Sequence, residues 1–106
     1  MIVRISSTIV PQSTAKLAVE HWRTTILPGY LASQGLIVVC LLQRSFVDYI
    51  ELMMLSVWKT QEALDQFLQR GIGFVVSESS NDIIQLEGHT YDLVAFHAGS
   101  AYTWDY

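Results

Sequence analysis

The sequence predicts an α+β fold, a ferredoxin-like β-α-β-β-α-β order around an antiparallel sheet, and three observations predict it. Residues 2–10 alternate in character with the two-residue period of a strand. From Ala15 the apolar residues recur at about 3.6, the period of a helix packed on one face. Two β-rich runs, GLIVVCLLQR and YIELMMLSVW, are then separated only by SFVD, a gap short enough for a hairpin.

Each element has its own local reason. In the first strand Val3, Ile5 and Ile9 fall on one side and Arg4, Ser6 and Thr8 on the other. Pro11 ends that strand, and PQST supplies turn chemistry and an N-cap for the first helix, whose stripe is Ala15, Ala18, Val19, Trp22 and Ile26. Pro28 lacks a backbone N–H and disfavours helical geometry at Leu27, so LPGY is expected to bend the helix and lead through LASQG into the second strand. After Trp58, Thr60 is the expected N-cap of a second helix, with Glu62 at its positive end, Ala63, Leu64, Phe67 and Leu68 on its buried face, and Gly71 as its stop. The run HTYDLVAFHA, His89 to Ala98, reads as the fourth strand, while residues 72–87 fit neither period decisively.

With 106 residues, a single domain over 1–106 is expected, with residues 100–106 as an aromatic tail expected to dock on a partner chain or over a pocket mouth. Hydrophobic residues make up 51% and charged residues 15%, against roughly 25% charged in ordinary soluble domains, so more apolar surface exists than a lone small domain hides. The longest apolar run, LIVVCLL, is far short of the ~20 residues that span a bilayer, and no secretory signal is visible, so a cytoplasmic protein without membrane contact is expected. A net charge of -4 with six scattered Lys and Arg offers no basic stripe, which argues against nucleic acid. Cys40, the single cysteine, excludes an internal disulfide and reads as an inert buried thiol. No His, Asp or Glu cluster has ligand spacing, so no structural metal is expected.

The second and third strands are apolar on both sides: Leu36, Val38 and Leu42 oppose Ile37, Val39 and Leu41, and Ile50, Leu52 and Met54 oppose Met53, Leu55 and Val57. Two helices cover only one face of such a sheet. Leaving the other wet would cost about 1.5–3 kcal/mol per large side chain, so a homodimer packed sheet on sheet is expected.

The opening MIVRI, the stretch ILPGYLASQGLIVVCLLQR, and LSVWKTQEALDQF resemble the antibiotic biosynthesis monooxygenase family of dimeric α+β barrels, from Met1 to about Gly99. The resemblance implies a sheet-on-sheet dimer and, in each protomer, a pocket between helices and sheet. Family members include cofactor-independent oxygenases of polycyclic aromatics and a haem-degrading branch. That branch uses an Asn, a Trp and a His where the resemblance puts Ser7, Phe67 and Ser77, and serine is not an ordinary axial haem ligand, so haem degradation is disfavoured. In the quinone-forming branch a pocket aromatic with nitrogen or hydroxyl groups helps hold the substrate, and Phe67 lacks an indole N–H. The reading that follows is a small monooxygenase that uses no cofactor and binds an apolar aromatic molecule, with a non-catalytic ligand-binding or structural dimer as the alternative.

The candidate substrate-binding residues are Trp22, Tyr30, Phe67 and Ser7. Trp22 lies on the apolar stripe, where core packing and pocket lining are compatible. Tyr30 follows Pro-Gly, its hydroxyl directed either into a cavity or to solvent. His21, about 100° round the helix from Trp22, is a boundary residue on the plainer reading and a general base on the functional one. Arg4 and Glu51, on strands that neighbour in this topology, are expected to pair, with Arg4 as an anion hook the second reading. His89 and His97 share a strand face but lie about 26 Å apart at ~3.3 Å per residue, too far for one metal.

Overall fold

The computed structural model describes residues 1–70, 85–97 and 99. The order is β1 (Ile2–Pro11), a 3-10 turn (Gln12–Thr14), α1 (Ala15–His21), a π-turn (Trp22–Ile26), α2 (Leu27–Leu31), β2 (Leu36–Ser45), β3 (Tyr49–Trp58), α3 (Gln61–Gln69) and β4 (Gln85–Asp92). All three strand pairings are antiparallel and the sheet order is β2-β3-β1-β4, the ferredoxin-like arrangement expected from the sequence. No described helix is long and apolar enough to cross a membrane.

The helices lie on one face of the sheet. That face carries Thr8 and Val10 of β1, Ile50, Leu52, Met54, Ser56 and Trp58 of β3, and Val39 of β2, all buried. It is the more polar side of β1, since Arg4 and Ser6 share the parity of Thr8, whereas Val3, Ile5 and Ile9 point to the open face. Parity also separates the expected Arg4–Glu51 pair. Glu51 sits opposite Ile9 on the open face and binds Arg44 across the β2–β3 ladder at 3.3 Å, while Arg4 sits opposite Ser56 and Thr90 and donates from Nη1 to Thr90 Oγ1 at 3.3 Å. The guanidinium of Arg4 lies where a side chain at position 88 would stand, so Gly88 makes room for it.

Two expectations about the helices need revision. Pro28 does not displace Leu27 from helical geometry, because the chain stays helical through Leu27 (φ -54, ψ -45) and runs on to Leu31. The π-turn just before the proline explains this: the Leu27 N–H donates to Trp22 O, five residues back, and so lengthens the turn into which the ring of Pro28 must fit. In α3, Thr60 caps as expected, its Oγ1 accepting from the Ala63 N–H at 3.1 Å, and Leu64 and Phe67 are buried. Leu68, however, is 41% exposed, one position round from the buried face, and Gly71 lies outside the described residues.

β4 begins earlier and ends earlier than the sequence suggested. It pairs with β1 from Ile9↔Gln85 to Ile2↔Asp92, and at that point β1 runs out. Leu93 makes one last bond, N–H to Met1 O at 3.0 Å, after which β1 among the described residues offers no further partner, so His97 is not in the strand with His89.

A tight junction ties the two halves together. Gly35 has φ +85, its carbonyl accepts from Lys59 N–H at 2.8 Å, and a Cβ there would stand 2.6 Å from Ala63 Cβ at the start of α3. Gly35→Ala combines a left-handed backbone penalty of ~1–2 kcal/mol with overpacking of ~1–3 kcal/mol, so we expect a stability loss of about 2–4 kcal/mol. Urea denaturation measures it, and an unchanged midpoint would show that the junction is not under steric constraint.

Candidate functional site

The site is built by the helical stretch 15–31 lying across the sheet toward its β2 edge. In an α-helix, residues five apart point about 140° away from each other. The π-turn removes most of that angle, so Leu27 stands over Trp22 and both face β2. Together with Val19, Arg23, Leu41 and Gln43, and with Cys40 alongside, they line a groove of about 570 Å³. Among the described residues its walls are apolar apart from the Arg23 guanidinium and the Gln43 amide. Ligand sites of small molecules have this size and this composition, a mostly apolar surface with a few polar groups.

Behind the groove wall lies a buried aromatic and sulfur cluster. Trp22 Nε1–H donates to Met54 Sδ at 2.9 Å, and the Tyr30 hydroxyl donates to the same sulfur at 3.7 Å. The Tyr30 ring packs on Phe67 at 4.3 Å between centroids, and Phe67 packs on Trp58 at 5.0 Å. Trp58 Nε1–H in turn donates to Ser56 Oγ at 2.9 Å, so each indole N–H in the cluster is partnered. Burial pushes the Tyr30 phenol up to about 12, with the nearby Arg4 guanidinium pulling weakly the other way, and the hydroxyl therefore stays protonated at neutral pH. Burial also pushes the Cys40 thiol up, opposed by a backbone hydrogen bond at Leu55, which keeps the thiol in its unreactive protonated form.

The four substrate-binding candidates do not converge. Trp22 lines the groove, Tyr30 sits behind it against Met54, and Phe67 borders a separate cavity of about 200 Å³ with Ser33, Gln66 and Arg70. Arg70 closes that second cavity by donating to Gly29 O and Ser33 Oγ. Ser7 has the parity of Ile5 and Ile9 and lies on the open face, across the sheet from the other three; its neighbour Ser6 is the β1 serine on the helix-facing side. His21 is half-buried, makes no hydrogen bond among the described residues, and is not a lining residue of either cavity. Ser77 and the tail 100–106 lie outside the described residues. Arg23, Gln43 and Met54 were not singled out as site residues from the sequence: the shared lining of Trp22, Arg23 and Leu27 depends on the π-turn, which has no composition signal of its own.

No family model matches the chain, and no curated protein does. Solved structures do. One from Bacillus cereus, assigned as an antibiotic biosynthesis monooxygenase, superimposes with a TM-score of 0.73 at 16% identity, covering 97% of this chain and 98% of the other. The fold is that of the antibiotic biosynthesis monooxygenases. SnoaB, a cofactor-independent oxygenase from Streptomyces nogalater, has the same monooxygenase fold at a TM-score of 0.62 and 14% identity, covering 90% and 95% of the two chains. The heme-degrader MhuD from Mycobacterium tuberculosis, solved with two hemes bound in its active site, matches at 0.69 and 13% identity over 92% and 100%. At such identities the likeness to these structures is one of architecture, and activity has to be argued from this chain's own residues.

Two measurements check the cluster. Because the folded pKa of Tyr30 exceeds its ordinary value of 10.0, the unfolded chain loses this proton first as pH rises. The stabilisation is therefore complete below pH 10 and is lost as pH climbs from about 10 to about 12, on the order of 2–3 kcal/mol in all. Tyr30→Phe is expected to flatten that alkaline limb in pH-dependent urea denaturation. Met54→Leu keeps the volume but leaves the Trp22 N–H buried without an acceptor, for an expected loss of about 1–3 kcal/mol. Thermal denaturation monitored by tryptophan fluorescence reads it, and a wild-type midpoint would refute the sulfur's role as acceptor.

Proposed function

We propose that this chain is a homodimeric, cofactor-independent monooxygenase that binds a small apolar aromatic molecule in the groove between α1, the π-turn and β2. The observation that carries the reading is the groove itself, about 570 Å³ and floored by Val19, Trp22, Leu27 and Leu41. It lies between helices and sheet, in a fold shared with at least one oxygenase that needs no cofactor. In such chemistry the electrons for reducing O2 come from an electron-rich substrate. The tasks left to the protein are to hold the ring system, exclude water and stabilise a developing anion. Apolar walls serve the first two tasks, and the amide and guanidinium at the groove serve the third.

The open face of the sheet supports the homodimer. Val3, Ile5, Ile9, Leu42, Met53 and Leu55 lie there, with no helix of the described residues over them. A second copy offers an identical apolar face, and pairing about a two-fold axis buries both at once. The family resemblance implies the same pairing.

A specific observation favours a second reading, a ligand-binding or structural dimer without catalysis. Tyr30, Phe67 and Trp58 are packed ring against ring, and the Trp22 N–H is already engaged with Met54, so these groups are held as a core. Among the described residues no acid-base pair faces the groove.

Oxygen uptake with a panel of anthrone and quinol substrates separates the two. The monooxygenase reading predicts turnover above the no-enzyme rate, reduced at least tenfold by Trp22→Ala; binding of the same molecules without oxygen uptake would establish the non-catalytic reading instead. For the dimer, sedimentation velocity should give twice the 12.0 kDa chain mass, and Leu55→Lys, placing a charge at the middle of the open face, should shift the protein to monomer. A monomeric wild type would rule out the sheet-on-sheet assembly.

A further inference from the structure

Among the described residues the groove has one cation, and its placement says what kind of aromatic molecule fits. Arg23 directly follows Trp22 in the π-turn, so indole and guanidinium come from adjacent residues and line the same groove. In a regular α-helix consecutive side chains diverge by about 100°. Here Val19, Arg23 and Leu27 recur at four-residue intervals along one side of the helical stretch, and the π-turn adds Trp22 to the same lining.

Arg23 is exposed and makes no ion pair or hydrogen bond among the described residues. Arg44, by contrast, is committed to Glu51, and Arg70 to Gly29 O and Ser33 Oγ. Opposite Arg23, β2 contributes Gln43, whose amide donates as well as accepts. The groove therefore combines an apolar floor with a planar fork of donors uncommitted among the described residues, and a further donor across from it.

With a net charge of -4 the chain has no general attraction for anions, so any anion in this groove is held by local contacts. The guanidinium fork matches a carboxylate in geometry, two parallel N–H groups to two oxygens, and Arg makes this match where Lys makes a point contact. Resting on the ligand-binding reading of the groove, we propose that its ligand is an aromatic carboxylate, with the ring system on Trp22 and Leu41 and the carboxylate on Arg23. Arg23 is then the residue that sets specificity between charged and neutral molecules of one shape.

The test uses the full chain and two fluorescent probes with the same ring system, anthracene-2-carboxylate and its methyl ester, titrated at pH 7.5. The wild type should bind the carboxylate at least tenfold more tightly than the ester. Arg23→Gln should bring carboxylate affinity down to that of the ester and leave the ester within twofold, and Arg23→Lys should restore part of the preference. Since Arg23 is exposed and outside the core cluster, the variants should keep the wild-type circular dichroism and melting temperature. Equal affinity of the wild type for both probes would overturn the carboxylate assignment while leaving an apolar groove in place. Equal loss of both probes in Arg23→Gln would overturn it too. Failure of the wild type to bind either probe would remove the groove as a ligand site and the inference with it.

Discussion

Everything in this molecule depends on one constraint: the two strands β2 and β3 are apolar on both sides, and the described helices cover only one face of the sheet they belong to. The side that the helices cover is decided by β3, where Trp58, Ser56, Met54, Leu52 and Ile50 alternate inward and are all buried. Once β3 is fixed, the ladder dictates the rest. Thr8 and Val10 must face inward, Ile5 and Ile9 outward, although by hydrophobicity β1 alone would turn the other way. The arrangement is stable because the polar groups drawn inward are short hydroxyls and one arginine seated over Gly88, while β3 supplies the large apolar volume. The cost is an outward face that is too apolar for water.

The second determinant is the extra residue in the turn at Trp22–Ile26. It reconciles two demands that conflict in a regular helix: Pro28 offers no N–H to the turn before it, and both Trp22 and Leu27 have to face the sheet edge. A local backbone adjustment thus lets a proline sit within a helical stretch and gives the groove its floor. The same adjustment keeps Trp22 in reach of Met54, so groove and core share a wall.

Much of this architecture was legible in the sequence because it rests on period and punctuation. The alternation of residues 2–10, the stripe from Ala15 to Ile26, the SFVD gap and the Thr60 cap each correspond to an element of the structure. What was not legible depends on neighbours rather than on the segment itself. The end of β4 at Asp92 is set by where β1 runs out, and the face of Ser7 is set by the parity of β3. The pairing of Glu51 with Arg44 instead of Arg4 follows from that parity as well. The groove was the least legible feature, because it depends on a π-turn ahead of Pro28, where the proline read alone suggested only a bend.

Met54 gives the cluster a chemical property of another kind. Met54 is 5% exposed and its sulfur receives two donors, from Trp22 and Tyr30, so its lone pairs are occupied and it is shielded from dissolved oxidants. Met1, 61% exposed, has no such protection, and Met53 is half-buried on the open sheet face. Damage by peroxide is therefore ordered through the molecule: the terminal thioether is sacrificed first, and the one holding groove to core goes last. Sulfoxidation at Met54 would put a polar, chiral oxygen between two aromatic side chains, so the loss of that sulfur and the loss of the fold would be one event.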